Sequence, residues 1–321
     1  MKNFLSVKDA GNIGTLVRSA VNFREYPLAK QTLGKGKRIG LLFLNPSMRT
    51  RLSTQIAAQN LGMEAIVFNV SQDGWSLEFE EGAIMNGATV EHVKDAAPIL
   101  ARYFDILGVR TFPSLKNREE DYNEYVMNQF VKYSNIPVVS LESATVHPLQ
   151  SLTDIITITD HLPVKNKAKP KVVLTWAPHV KPLPQCVANS FCEWITAWAG
   201  SDFTITHPAG YDLDARFTSG ANITNDQAQA LQDADFVYVK NWSSYNDYGK
   251  MPGDENDWML TNGKLATTNH AKIMHCLPVR RNVELSDEVL DSSCSIITEQ
   301  AANRVWAAQA VLAQILDSKD E

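Results

Sequence analysis

Ser47-Met48-Arg49-Thr50-Arg51 stands where a strand turns into a helix. Ahead of it, residues 38–45 (Arg-Ile-Gly-Leu-Leu-Phe-Leu-Asn) form a continuous apolar run, the pattern of a buried parallel strand. Pro46 stops the run, and residues 49–61 put Leu52, Ile56, Ala57 and Leu61 on one helical face. Ser47 is placed to cap that helix. Free backbone N–H groups and the positive dipole end therefore meet two guanidinium groups and a threonine hydroxyl at the carboxyl end of a strand. Such a place binds phosphate or a similar anion. A capped helix with two solvated arginines is the plainer alternative, and the pentapeptide alone does not separate the two.

Outward from this stretch, strands alternate with helices. A first helix is predicted over residues 6–22, capped by Ser6, with Ile13, Leu16, Val17 and Ala20 on one face. Glu64–Val70 reads as a strand, and residues 71–88 carry turn and loop chemistry around Trp75. Thr89 opens a helix through Tyr103 that Pro98 should kink or divide. Asp105–Phe112 is a strand, 118–133 a helix and Pro137–Glu142 a strand. His147–His161 reads as a helix joining two domains. Beyond it come strands at Lys171–Trp176, Asp202–His207, Asp235–Val239, Lys272–Leu277 and Ser295–Thr298, with helices at 187–198, 225–233, 286–291 and 301–316. This rhythm predicts an α/β protein of two doubly wound parallel-sheet domains, with a site at the strand carboxyl ends between them.

A chain of 321 residues has room for two domains with their own cores. Apolar residues at 44% and charged residues at 21% are those of a soluble globular protein. A net charge of −6 without a basic block argues against nucleic acid, so any anion site is local. No run approaches a membrane span, and the opening Met1-Lys2-Asn3-Phe4-Leu5 lacks the apolar core of a secretion signal. Cys186, Cys192, Cys276 and Cys294 show no metal or disulfide spacing, which fits a cytoplasmic location. Neither a metal-ligand cluster nor a nucleotide-binding G-x-x-x-x-G-K-[ST] is present, so no cofactor is expected.

Three further groups fall at strand ends or helix starts. Gly108-Val109-Arg110-Thr111 ends a strand with an arginine. His147-Pro148-Leu149-Gln150-Ser151-Leu152-Thr153-Asp154 begins a helix with His147 and Gln150 on one face. His275-Cys276-Leu277-Pro278 ends a strand, with Val279-Arg280-Arg281-Asn282 after it. Each is weak alone: His-Pro commonly opens helices, and Arg110 is open to a surface ion pair. In this order, S-x-R-T-R, G-x-R, H-P-x-Q-x-L-x-D and H-C-L-P resemble the aspartate and ornithine carbamoyltransferases, with H-C-L-P pointing to the ornithine branch.

The resemblance spans residues 38 to 304. It implies a carbamoyl-phosphate domain over 1–146, an amino-acid domain over 147–300, a last helix (301–321) packing back on the first domain, and a homotrimer with sites shared between subunits. Carried over, Ser47, Met48, Arg49, Thr50, Arg110 and Arg304 hold carbamoyl phosphate, and His147 donates to the carbamoyl oxygen. Gln150 and the carbonyls of Cys276 and Leu277 hold the carbamoyl NH₂. Arg49, Arg110, His147 and Cys276 are the expected catalytic set, Cys276 through its backbone. Charge that builds on the carbonyl oxygen and the leaving phosphate calls for fixed donors of this kind.

Ordinary ornithine carbamoyltransferases place an aspartate and Ser-Met-Gly after the strand that here ends Tyr238-Val239-Lys240-Asn241-Trp242. Their aspartate pairs with a free α-ammonium; Lys240 suits an α-carboxylate instead. With Trp176-Ala177-Pro178-His179-Val180-Lys181-Pro182-Leu183-Pro184, these features resemble the N-acylornithine carbamoyltransferases. That likeness implies acylornithine contacts from Glu142, His179, Lys240 and Arg280, a Trp75 that reaches the neighbouring subunit's carbamoyl phosphate, and a knot in the second domain. In Gly87-Ala88-Thr89-Val90-Glu91-His92, Val90 stands where acetyl enzymes carry Glu and succinyl enzymes a small apolar residue. Repulsion of a second carboxylate is thereby absent, which favours N-succinylornithine. Glu91 turned inward would restore an acetyl pocket. An N-acetylornithine enzyme, an ordinary ornithine enzyme and a non-catalytic phosphate-binding homologue are the other readings.

Overall fold

The structure is a computed structural model and describes residues 1–162, 169–253 and 255–318. It divides into two compact units. The first comprises Met1–Ser114, Arg118–Leu149 and the C-terminal helix from Arg304; the second comprises Leu115–Asn117 and Gln150–Asn303.

In the first unit, β1 (Arg38–Phe43), β2 (Glu64–Asn69), the short ribbon strands β3 (Leu77–Glu78) and β4 (Glu91–His92), β5 (Ile106–Arg110) and β6 (Val138–Glu142) follow in order. The main sheet runs β2-β1-β5-β6, every pair parallel. After Arg38, β1, β5 and β6 are buried along their length, as strands of a parallel sheet are. Gly108 sits at its crowded centre: a Cβ there would lie 2.7 Å from Leu41 Cδ2. The helix Met48–Asn60 follows β1 across a short loop, as the sequence requires. Its buried face is only partly the apolar one expected: Ala57 and Leu61 are buried, but Leu52 and Ile56 are not. Thr50, Ser53, Thr54, Ala57 and Ala58 point inward, while Leu52 and Ile56 are 52% and 43% exposed. The inward set also recurs at helical spacing, and small side chains let the helix lie close to the sheet.

Three other expectations are corrected here. The first helix is two pieces: Ser6 caps a 3-10 turn over Val7–Asp9, and Asn12 caps the helix Ile13–Glu25, with Gly11 (φ 62) between them. Thr89 does not open the next helix; His92 caps Val93–Tyr103, which continues through Pro98 undivided. The span 118–133 is likewise two helices, Arg118–Tyr122 and Tyr125–Ser134, parted by Glu124 at φ 52. The C-terminal helix lies against the first unit: Gln309 accepts from Asn60 and donates to the Pro27 carbonyl, and Lys30 pairs with Asp317 at 2.7 Å.

The second unit holds β7 (Lys171–Trp176), β8 (Asp202–Thr206), β9 (Asn222–Thr224), β10 (Phe236–Lys240) and β11 (Lys272–Met274), ordered β11-β10-β7-β8-β9 and all parallel. Val173, Val237, Val239, Ile273 and Leu285 centre its core. Residues 295–298 do not form the expected strand: Ser295 makes one isolated bridge to Ile273, and the last helix already begins at Ile297.

Candidate active site

The site residues of the first unit come from three adjacent strand ends and, for Arg304, from the C-terminal helix. Phe43 of β1 pairs with Arg110 of β5, and Arg110 pairs with Glu142 of β6 across a register shift. Ser47 is the N-cap of the helix Met48–Asn60 by position, in extended backbone (φ −154), but its hydroxyl makes no cap bond. Arg110 Nη1 lies 2.5 Å from Glu142 Oε2, with both side chains buried. Thr50 Oγ1 accepts from Arg304 Nη2 at 2.5 Å and from Arg110 Nη1 at 3.4 Å. Arg304 also lies 3.5 Å from His147 Nε2, and Glu142 Oε2 lies 3.8 Å from the same nitrogen. Ser47, Arg49, Thr50, Arg110, His147 and Arg304 thus belong to one unit, where Thr50, Arg110, Glu142, His147 and Arg304 form a single buried cluster.

Burial holds the His147 pKa well below its ordinary value, and the neighbouring Arg304 and Arg110 charges lower it further. The ring is therefore neutral, and a neutral imidazole carries one N–H to donate. Its Nδ1 is buried and has no hydrogen-bond partner among the described residues. Glu142, expected beside an acylornithine, is also the ion-pair partner of Arg110.

Trp75 is 53% exposed and donates from its indole nitrogen to Glu91 Oε2 at 2.8 Å. Glu91 is thus turned to the indole. Val90 lies beside it, 63% exposed, with its N–H bonded to the Ser76 carbonyl at 2.9 Å. Met48 is also exposed, at 67%.

In the second unit, Lys240 and Trp176 pair at the ends of β10 and β7. Asn241 donates to the Ala177 carbonyl at 2.7 Å, and Trp176 to the Trp242 carbonyl at 2.8 Å, so the two strand ends are locked together. Lys240 is 7% exposed and makes no ion pair among the described residues, although its charge acts on Glu284. His179 Nδ1 donates to the Lys181 carbonyl at 2.8 Å, leaving Nε2 to accept from Arg280 Nε at 3.1 Å. Burial is the main reason its pKa falls below the usual histidine value, and the charges of Lys240 and Arg280 add to it.

His275 is buried after β11; its N–H is held by Gln300 Oε1 at 2.9 Å, and its Nδ1 accepts from the Leu277 N–H at 2.9 Å. Leu277 (φ 58) is turned into the left-handed region, and Cys276 is buried. Gln150 and Gln300 both donate to Asp154 Oδ1 at 2.7 Å. Sequence reasoning missed Glu284. It is fully buried, accepts from His275 Nε2 at 3.2 Å and from the Arg280 N–H at 2.8 Å, and feels the Lys240 charge. An acid between Val283 and Leu285, just after two arginines, was the signal available.

Among the described residues, no group of three His, Cys, Asp or Glu side chains could hold a metal ion, and no helix is long and apolar enough to cross a membrane.

Two parallel sheets, one ending in a buried arginine–histidine cluster and the other in a buried lysine, define an α/β protein with cationic groups at its strand ends. The chain belongs to the aspartate/ornithine carbamoyltransferase family: residues 2–160 match its carbamoyl-P binding domain and residues 185–315 its Asp/Orn binding domain. It is 46% identical to an N-succinylornithine carbamoyltransferase of Bacteroides fragilis (strain 638R) over 99% of each chain. With an N-acetylornithine carbamoyltransferase of Xanthomonas axonopodis pv. citri (strain 306) it shares 35% identity over 98% of this chain and 96% of that one. Among solved structures, it superposes with a TM-score of 0.91 on N-acetyl-L-ornithine transcarbamylase complexed with carbamyl phosphate and N-succinyl-L-norvaline, one glutamate of which is replaced by valine. That likeness has 35% identity and covers 98% of this chain and 100% of that one.

Proposed function

We propose that the protein transfers the carbamoyl group of carbamoyl phosphate to the δ-amine of N2-succinyl-L-ornithine, giving N-succinyl-L-citrulline and phosphate in arginine biosynthesis. The amine nitrogen bonds to the carbonyl carbon, the bond from that carbon to the phosphate oxygen breaks, and the amine gives up a proton. Arg49, Thr50, Arg110 and Arg304 take the phosphate, together with Ser47 and Met48 at the helix start. With two guanidinium donors on its lone pairs, the Thr50 hydroxyl has its hydrogen left to give to the anion. Neutral His147 donates to the carbonyl oxygen as charge gathers there. Gln150 and the Cys276 and Leu277 carbonyls hold the carbamoyl NH₂.

The observation that carries the acyl reading is Lys240, a buried ammonium at a strand end that is ion-paired with no acid among the described residues. Such a group takes an α-carboxylate and gives an α-ammonium nothing. His179 and Arg280 complete the acylornithine contacts. Succinyl is favoured over acetyl because Val90 brings no charge and Glu91 is engaged by Trp75. In structural neighbours, replacement of one glutamate by alanine, proline or valine accompanies binding of N-succinyl-L-norvaline.

The homotrimer belongs to the same proposal. Met48, Leu52 and Ile56 form an exposed apolar stripe at helical spacing, suited to a second copy. Four free cysteines suit a reducing cytoplasm. Phosphate release from carbamoyl phosphate, measured with and without N2-succinylornithine, tests the reaction: acceptor-dependent release supports it, and acceptor-independent or absent release refutes it.

A further inference from the structure

Glu124 interrupts what would otherwise be one helix, holding left-handed backbone (φ 52, ψ 39) that residues other than glycine adopt rarely. It is the N-cap of Tyr125–Ser134, yet its side chain makes no bond to that helix. The carboxylate is spent elsewhere. Oε1 accepts from Ser143 Oγ at 2.6 Å, from the Thr145 N–H at 2.7 Å and from the Thr145 hydroxyl, and Oε2 accepts from the Ala144 N–H at 3.2 Å. All of these donors lie in Ser143–Val146, the segment joining Glu142 to His147. That segment also closes on itself, with the Ser143 N–H on the Val146 carbonyl at 2.8 Å.

We propose that Glu124 is a positioning residue: it clamps the Ser143–Val146 loop and thereby fixes the place of His147, whereas Glu142, before the loop, is already held by β6. The inference rests on the role given to His147 above. A carboxylate is the group this loop needs, because three of its donors converge on one oxygen and a fourth on the other. A glutamine would turn an N–H toward the Ala144 N–H, setting donor against donor. Burial pushes the Glu124 pKa up, and the hydrogen bonds from Ser143, Thr145 and Ala144 act against that rise. The helix start carrying Arg49 and Thr50 is a separate element, so anion binding and imidazole placement are separable.

The test compares Glu124→Gln, Thr145→Val and His147→Asn in the full chain, reading kcat, equilibrium binding of carbamoyl phosphate and Tm. Glu124→Gln is expected to lower kcat about tenfold or more while carbamoyl-phosphate affinity stays within about threefold. Thr145→Val should lower kcat in the same sense, and the double variant should lose less than the two losses combined. A kcat within about twofold of the starting protein in a folded variant overturns the proposal. So does a parallel fall of kcat, affinity and Tm, which is the mark of general destabilisation. If Glu124→Gln does not fold, Thr145→Val is judged by the same criteria. Full activity in His147→Asn would refute the site itself; a crippled His147→Asn beside a normal Glu124→Gln would refute only the clamp.

Discussion

Arg304 Nη2 donates to the Thr50 hydroxyl at 2.5 Å, joining residues 254 positions apart. The bond fixes both groups before any ligand arrives. Thr50→Val keeps the branched shape and removes the oxygen. Carbamoyl-phosphate affinity should fall about tenfold or more, the worth of one charge-assisted bond, and Thr50→Ser should restore most of it. Calorimetric titration checks this; unchanged affinity in Thr50→Val would mean the cluster does not face the phosphate.

Arg49 and Arg110 are expected to be alike in binding and unlike in stability. Replacing either with alanine should cost about 2–5 kcal/mol of carbamoyl-phosphate binding or activation. Arg110→Ala also strands Glu142 as a buried carboxylate, a loss of about 3–5 kcal/mol of stability. Arg49 is only half-buried and has no such partner among the described residues, so Arg49→Ala should melt near the normal temperature. Thermal unfolding and binding of the two variants, measured together, separate these effects.

Much of this was legible in the chain. Continuous apolar runs ending at Phe43, Arg110 and Glu142 identify the parallel strands and their carboxyl ends, and Lys240 stands out because a charge closes such a run. Hidden were features fixed by tertiary pairing. The helix after Ser47 buries Thr50, Ser53 and Thr54 because the sheet needs small side chains there, whereas composition favours Leu52 and Ile56. Glu124 cannot be read as a helix break from its type, since glutamate is a good helix former; its partners lie on a loop some twenty residues on. Glu284 gains meaning only when His275 and the Arg280 N–H are folded against it.

Glu284 gives a pH signature. Burial alone would raise its pKa, but the His275 hydrogen bond and charge, Lys240 and the Arg280 N–H together lower it from 4.5 to about 2. A depressed carboxylate stabilises the fold fully above 4.5, and that share is lost as pH falls from 4.5 to about 2. At 1.36 kcal/mol per pKa unit the share is about 3 kcal/mol. Glu284→Gln should therefore unfold with a flatter acid dependence across that window and show a raised KM for the acceptor. An unaltered acid profile would refute the ion cluster.

Trp75 is expected to serve a neighbouring subunit, as its exposure and its place in the long loop suggest. Mixing inactive Trp75→Ala with inactive Arg49→Ala under subunit exchange should recover part of the activity, because some interfaces then carry both native residues. Absence of recovery despite demonstrated exchange would argue for sites confined to one chain.

The most direct measurement is turnover with ornithine, N-acetylornithine and N-succinylornithine at equal concentration, for the native protein and for Val90→Glu. The native protein should prefer N-succinylornithine, and Val90→Glu should lose that activity and gain with N-acetylornithine, since a like charge in the pocket costs several kcal/mol. Preference of the native protein for free ornithine would contradict the role given to Lys240; preference for N-acetylornithine would keep Lys240 and contradict the reading of Val90.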